Sequence, residues 1–142
     1  MAVCLLIAPT SVFAADTPQR TVVDVPDDIR IAMADVMRQQ LAALDAVMAI
    51  IATGDYGKAA DVAEDGLGMT ASARYRSERF RPYMPDAMRQ LGGVTHKAGS
   101  RLSKVLWAAD LQSPEEAHAA VSKALSELVS GCNGCHSAYG FK

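Results

Sequence analysis

Two cysteines and a histidine lie together near the end of this 142-residue chain, in the run Cys132-Asn133-Gly134-Cys135-His136. On a helix, residues three and four apart share a face, so both sulfurs and the imidazole can meet the same flat group. C-x-x-C-H is the attachment signature of a c-type haem: each cysteine forms a thioether with a former vinyl group, and the histidine gives iron an axial nitrogen. The sequence therefore predicts one covalent haem c, attached at Cys132 and Cys135 and ligated by His136.

Two other uses of this motif are less favoured. A thioredoxin-like dithiol pair stands at the start of a helix in a βαβ unit, and no strand pattern precedes Cys132. A zinc site needs more Cys or His at ligand spacing, and outside the motif the chain holds only Cys4, His96 and His118.

A helix that begins after Ser113 is predicted to carry the motif. Ser113 suits the N-cap, Pro114 the first helical position and Glu116 the third, as in a capping box. Apolar positions then recur at helical spacing and lead into the motif: Ala117, Ala120, Val121, Ala124, Leu125 and Leu128. This helix is expected to direct the motif into the core, with Tyr139 continuing the same face.

Two helices are predicted in the first half of the chain. A long one begins after Pro26 and ends at Gly54, and a shorter one runs from about residue 55 to 65, with Gly66 and Gly68 as stop signals. The expected inner face of the long helix is Ile29, Met33, Val36, Met37, Leu41, Leu44, Val47, Met48 and Ile51.

A further long helix is predicted from about residue 85 to 110. Gly92 and Gly93 weaken it by roughly 1 kcal/mol each relative to alanine, which a close contact with another helix or with the haem would explain. The segment between Gly68 and Pro85, with its arginines and prolines, is predicted to be irregular.

The composition agrees with a helical protein. Half of the residues are hydrophobic, but only three are Phe and one is Trp. The sequence predicts three long amphipathic helices and one shorter one, joined by modest connections. This pattern indicates an all-α fold, an antiparallel four-helix bundle with the haem bound covalently near the C-terminus. The net charge of −2 favours neither nucleic acid nor a membrane surface as a generic partner.

The first residues have the character of an export signal. Residues 1–14 carry no charged side chain and contain an apolar run, and the small residues Ala14 and Ala15 follow that run. We expect cleavage near Ala14, which leaves residues 15–142 as one monohaem cytochrome domain without stable membrane insertion. Because C-x-x-C-H haem attachment in bacteria occurs outside the cytoplasm, the predicted compartment is the periplasm.

The chain resembles the cytochrome c′ and cytochrome c556 family, the class II c-type cytochromes. The attachment motif on the last of four helices carries the resemblance, together with Gly54-Asp55-Tyr56 and Ala59-Ala60 after a first helix that opens Pro-Asp-Asp. The resemblance implies that His136 is the proximal ligand. Family members often have a basic residue four positions later; here that position is Gly140, and Lys142 is the basic residue just beyond it.

The resemblance offers two arrangements for the iron site opposite His136. In the cytochrome c′ branch an apolar side chain leaves this site open to NO or CO, and in the c556 branch a methionine of the first helix closes it. The corresponding position is Met37, one turn after Met33, and Met88 is a more distant candidate. A thioether ligand favours a low-spin iron suited to electron transfer.

We therefore expect a c556-like one-electron carrier with a low-spin His136/Met37 haem, not an enzyme, that serves other periplasmic redox proteins as a monomer or homodimer. The alternative is a five-coordinate, cytochrome c′-like protein that binds NO or CO. A peroxidase-like enzyme is less favoured, because the sequence offers no distal His–Arg arrangement for O–O cleavage.

Overall fold

A computed structural model describes residues 19–75 and 79–142. The predicted signal peptide, residues 1–14, lies outside the described residues, as does Cys4. In chain order the elements are β1 (Thr21–Val23), α1 (Asp27–Ile51), α2 (Tyr56–Leu67), α3 (Met69–Tyr75), a 3-10 helix (Arg81–Tyr83), α4 (Asp86–Ala109), α5 (Pro114–Ala138) and β2 (Tyr139–Phe141). The structure is mostly helical with four main helices, α1, α2, α4 and α5, which confirms the all-α class.

The predicted start of α5 is confirmed in atomic detail. The Ser113 hydroxyl accepts a hydrogen bond from the Glu116 backbone N–H, and the Glu116 carboxylate accepts one from the Ser113 backbone N–H at 3.1 Å. These two bonds satisfy N–H groups that a helix start otherwise leaves without partners. The capping box therefore fixes the residue at which α5 begins.

Gly66 does not end α2 as the sequence suggested, because it lies inside the helix. A Cβ atom at Gly66 would lie 2.4 Å from the Cβ of Ala43 on α1. The missing side chain thus allows α1 and α2 to pack closely. The helix ends one residue later, at Leu67.

The segment predicted to be irregular contains α3 and the 3-10 helix. α3 is anchored to α4, because its first backbone N–H, from Met69, donates to Ser100 Oγ at 2.9 Å. The Ser72 N–H continues the chain of helical bonds by donating to the Gly68 carbonyl at 3.1 Å. This long-range anchor has no local sequence signal, so the helix could not be expected.

The helices pack in the order α1 on α2, α2 on α4 and α4 on α5, around one main core. The buried members of this main core are Val47, Ala59, Ala60, Ala63, Leu67, Ala98, Leu102, Leu106, Ala109, Ala117, Val121, Ala124 and Leu128. One part of the predicted inner face of α1 is wrong: Met37, Leu41 and Met48 are 37%, 67% and 48% exposed. The reason is that α1 packs mainly on α2. The surface of α1 that α2 buries is narrower than the apolar stripe of α1.

The two short strands were not predicted. β1 and β2 form a parallel pair in which Val22 lies opposite Gly140, and the Lys142 N–H donates to the Val23 carbonyl at 3.2 Å. α5 therefore ends at Ala138, and Tyr139 starts a strand rather than continuing the helical face. The pair joins the segment before α1 to the segment after the motif.

Gly92 and Gly93 do not serve a close helix contact. A Cβ atom at either position would have no neighbour within 4 Å among the described residues. The expected contact with another helix is therefore wrong, whereas the contact with a haem stays a prediction. None of the described helices has both the length and the apolar character needed to cross a membrane.

Candidate functional site

The motif occupies the last two turns of α5. Cys132 and Cys135 are both half-buried and carry free thiols, and His136 is exposed. One helical turn separates the two sulfurs, and the histidine follows the second one directly. The three side chains therefore lie along one side of the helix end, where a single planar group can meet them.

Beside the motif lies a second apolar cluster, separate from the main core, which we call the terminal cluster. Its buried members are Val23, Val25, Ile29, Met33, Phe80 and Met88, and the partly buried side chains packed on it are Ala32, Val36, Tyr83, Met84, Cys135, Tyr139 and Phe141. α1, α4, the 3-10 helix and both strands all contribute to it. Cys135 thus packs on an apolar cluster built from several elements that are distant in sequence.

The methionines considered as iron ligands differ in their surroundings. Met33 is 3% exposed and Met88 is 8% exposed, and both belong to the terminal cluster on which Cys135 packs. Met37 is 37% exposed and does not belong to it. The structure therefore brings Met33 and Met88 together with the motif, and leaves Met37 at the surface of α1.

Burial changes the acidity of both thiols. Removal from water raises the pKa of Cys132, because it disfavours the thiolate. Burial likewise raises the pKa of Cys135, and the neighbouring Cys132 sulfur adds to that increase. Both sulfurs are therefore protonated at neutral pH in the chain as described.

The motif also borders an open depression of about 510 Å³, which we call the outer depression. It is lined by Arg20, Ser130, Asn133, Gly134, His136 and Ser137. The Ser137 hydroxyl donates to the Asn133 carbonyl of its own helix at 2.7 Å. Sequence reasoning missed Arg20, because nothing in the local sequence indicates that β1 would bring it beside the end of α5.

The other two histidines lie away from the motif. His96 Nδ1 is 2.9 Å from the Leu67 carbonyl oxygen, so its imidazole links α4 to the end of α2. His118 lies in the first turns of α5, eighteen residues before His136 and therefore roughly 27 Å away along the helix axis. Across residues 19–75 and 79–142, no group of three or more His, Cys, Asp or Glu side chains is arranged to hold a metal ion.

Comparison with known proteins gives no match. No protein-family model, curated protein or solved structure is significantly similar to this chain. The resemblance to the class II cytochromes therefore stays a prediction that depends on the motif and on the four helices.

Proposed function

We propose that this chain is a periplasmic monohaem c-type cytochrome that carries single electrons between other periplasmic redox proteins. One observation carries the proposal: two free thiols stand one turn apart on α5, one of them packed on an apolar cluster, and an exposed imidazole follows directly. Cys132 and Cys135 suit thioether formation, and His136 suits axial ligation. A haem held there supplies an iron centre that gains and loses one electron.

The side chains around the motif fit such a group. The terminal cluster offers an apolar wall beside Cys135, and Gly92 on α4 leaves the space next to its backbone open. Apolar surroundings keep water away from a bound macrocycle and contribute to its reduction potential.

We also infer that the four main helices run antiparallel. Two pairs of neighbouring positions on α4 and α5 support this arrangement for these two helices. A Cβ atom at Gly131 would lie 2.8 Å from Thr95 Oγ1, and Arg101 pairs with Glu127 at 3.6 Å. Moving forward along α4 thus corresponds to moving backward along α5. In this arrangement Gly92 lies level with the second cysteine of the motif.

The second iron ligand is proposed to be a methionine of α1. Met37 is the residue that the family resemblance indicates, and Met33 lies one turn before it. The burial of Met33 in the terminal cluster favours Met33, because a ligand must reach the space that Cys135 faces. His136 and a thioether together would give a low-spin iron that changes oxidation state with little rearrangement.

The first test is expression with export in a bacterium that attaches c-type haem, followed by visible spectra. We expect haem that stays with the chain on a denaturing gel, a sharp and split ferrous spectrum, and little change on addition of CO. A broad ferrous band that shifts at once with CO would instead favour the NO- or CO-binding alternative. A chain that is exported without covalent haem would contradict the proposal.

Matched variants assign the ligands. His136→Ala should remove the low-spin spectrum, whereas His118→Ala on the same helix should not. Met33→Leu and Met37→Leu keep most of the side-chain volume and remove the sulfur. Only the variant that loses the ligand should turn the iron high-spin and open it to CO. Unchanged spectra in both variants would rule out a methionine of α1 at these positions.

A further inference from the structure

The strand pairing places one basic side chain beside the motif. Arg20 directly precedes β1, in which Val22 lies opposite Gly140. A Cβ atom at Gly140 would lie 3.9 Å from the Cδ atom of Arg20, so the arginine stem passes over this glycine. Arg20 then lines the outer depression together with His136. The C-terminal lysine, Lys142, is not among the residues that line it.

We infer that the positive charge of Arg20 stabilises the reduced state of an iron bound at His136. The inference rests on the proposed function. It assigns a role to a residue that lies more than a hundred positions from the motif in the sequence and reaches it only through the β1–β2 pair.

The physical reason is the change of charge on the iron. Oxidation adds one positive charge to the centre, and a cation nearby makes that addition less favourable. Arg20 is exposed, so water and salt screen its field, and the effect is modest and depends on ionic strength.

The test is a potentiometric titration of the exported holoprotein, with redox mediators and visible detection, at low and at high salt. In Arg20→Gln the ferrous-to-ferric ratio at a fixed solution potential should fall about threefold at low salt, which is about 28 mV for a one-electron couple. The difference from the unmodified chain should shrink at high salt. Arg20→Lys should keep the potential, because it keeps the charge.

Two further variants test whether the position of the positive charge matters, rather than the net charge of the chain alone. Lys123→Gln removes the same charge from α5, thirteen residues or roughly 20 Å before His136, and should shift the potential much less. The double variant Arg20→Gln/Gly140→Arg returns a cation to the place where the arginine stem lay. The room at Gly140 admits a side chain, and the potential should recover.

The outcomes are distinct. The inference is supported if the reduction potential is lower in Arg20→Gln and if high salt makes this difference smaller. Arg20→Lys and the double variant should then have the potential of the unmodified chain. An unchanged potential in Arg20→Gln, or a drop equal to that of Lys123→Gln, would reject it while the proposed function stands. A drop in Arg20→Lys as large as in Arg20→Gln would also reject it, since the residue would then act through packing. A chain without haem would reject both.

Discussion

The backbone of α4 at Gly99 lies directly against the carbonyl group of Leu67 at the end of α2. A Cβ atom at Gly99 would be 2.3 Å from the Leu67 oxygen and 2.6 Å from its carbonyl carbon. Because the opposing atoms are backbone, they can give way only if one helix shifts. Gly99→Ala should therefore lower the free energy of unfolding by about 1–3 kcal/mol, measured by chemical denaturation.

Gly93→Ala on the same helix is the matched control. Outside its own helix turn, no atom of the described residues lies within 4 Å of a Cβ atom at Gly93, so in the haem-free chain the methyl group meets open space. Alanine also favours the helix more than glycine, and we expect a gain of about 0.5–1 kcal/mol. A similar loss of stability in both variants would show that the Gly99 contact is not the cause.

The two methionines of α1 should differ in their contribution to stability. Met33→Ala removes a side chain that is 3% exposed and should cost about 2–4 kcal/mol, through lost burial and the cavity left behind. Met37→Ala removes one that is 37% exposed and should cost about 1 kcal/mol or less. Denaturant unfolding of the haem-free chain measures both values. Equal costs would contradict the packing of α1 described above.

Stability should decline in acid through Glu64, which links α2, α3 and α4. Partial burial raises the pKa of this carboxyl, but hydrogen bonds from Ser100 and Thr70, aided by the charge of Lys104, outweigh it and lower the pKa below 4.5. A lowered folded-state pKa means that the ionised form stabilises the fold. This contribution is complete above about pH 4.5 and is lost as the pH falls through the lower folded-state value.

Glu64→Gln should therefore be less stable than the unmodified chain at neutral pH, and its deficit should shrink as the pH falls below 4.5. Unfolding curves at a series of pH values measure this. Asp65→Asn, at the exposed neighbouring carboxylate on α2, is the control and should change little. A deficit of Glu64→Gln that stays constant with pH would mean that charge is not involved.

The strand pair should protect an amide at the chain terminus. The Lys142 N–H donates to the Val23 carbonyl, so its hydrogen exchange should be slower than that of an amide without a hydrogen bond. Val23→Ala, which trims a side chain that is 8% exposed, should speed this exchange. Val22→Ala, at a side chain that is 55% exposed, should affect it less. Fast exchange in the unmodified chain would mean that the pair is open in solution.

The helices were predictable where their signals are local. Ser113, Pro114 and Glu116 specify a helix start through neighbours in the sequence, and the structure has the capping box that they predict. Gly66 shows the limit of such signals. A glycine can mark a helix end or a close contact, and only the position of Ala43 on another helix tells which one applies.

Only the part of the site that lies in one stretch of sequence, from Cys132 to His136, was predictable. Periodicity indicates which face of α1 is apolar, but not how many helices cover it, so the exposure of Leu41 and Met48 could not be foreseen. The strands are three residues each, and their partners lie at opposite ends of the chain. For the same reason the neighbourhood of Arg20 and His136 is visible only in three dimensions.

The pairing of β1 with β2 also has a consequence for the order in which the chain folds. Joining segments so far apart in sequence carries a large loop-closure cost, whereas each helix forms from near neighbours. The strand pair is therefore expected to close last. Until it does, the terminal cluster is incomplete and the sulfur of Cys135 stays open to solvent on an already formed helix. The proposed function requires an enzyme that attaches haem, and such an enzyme would have access to both cysteines in the interval between helix formation and final closure.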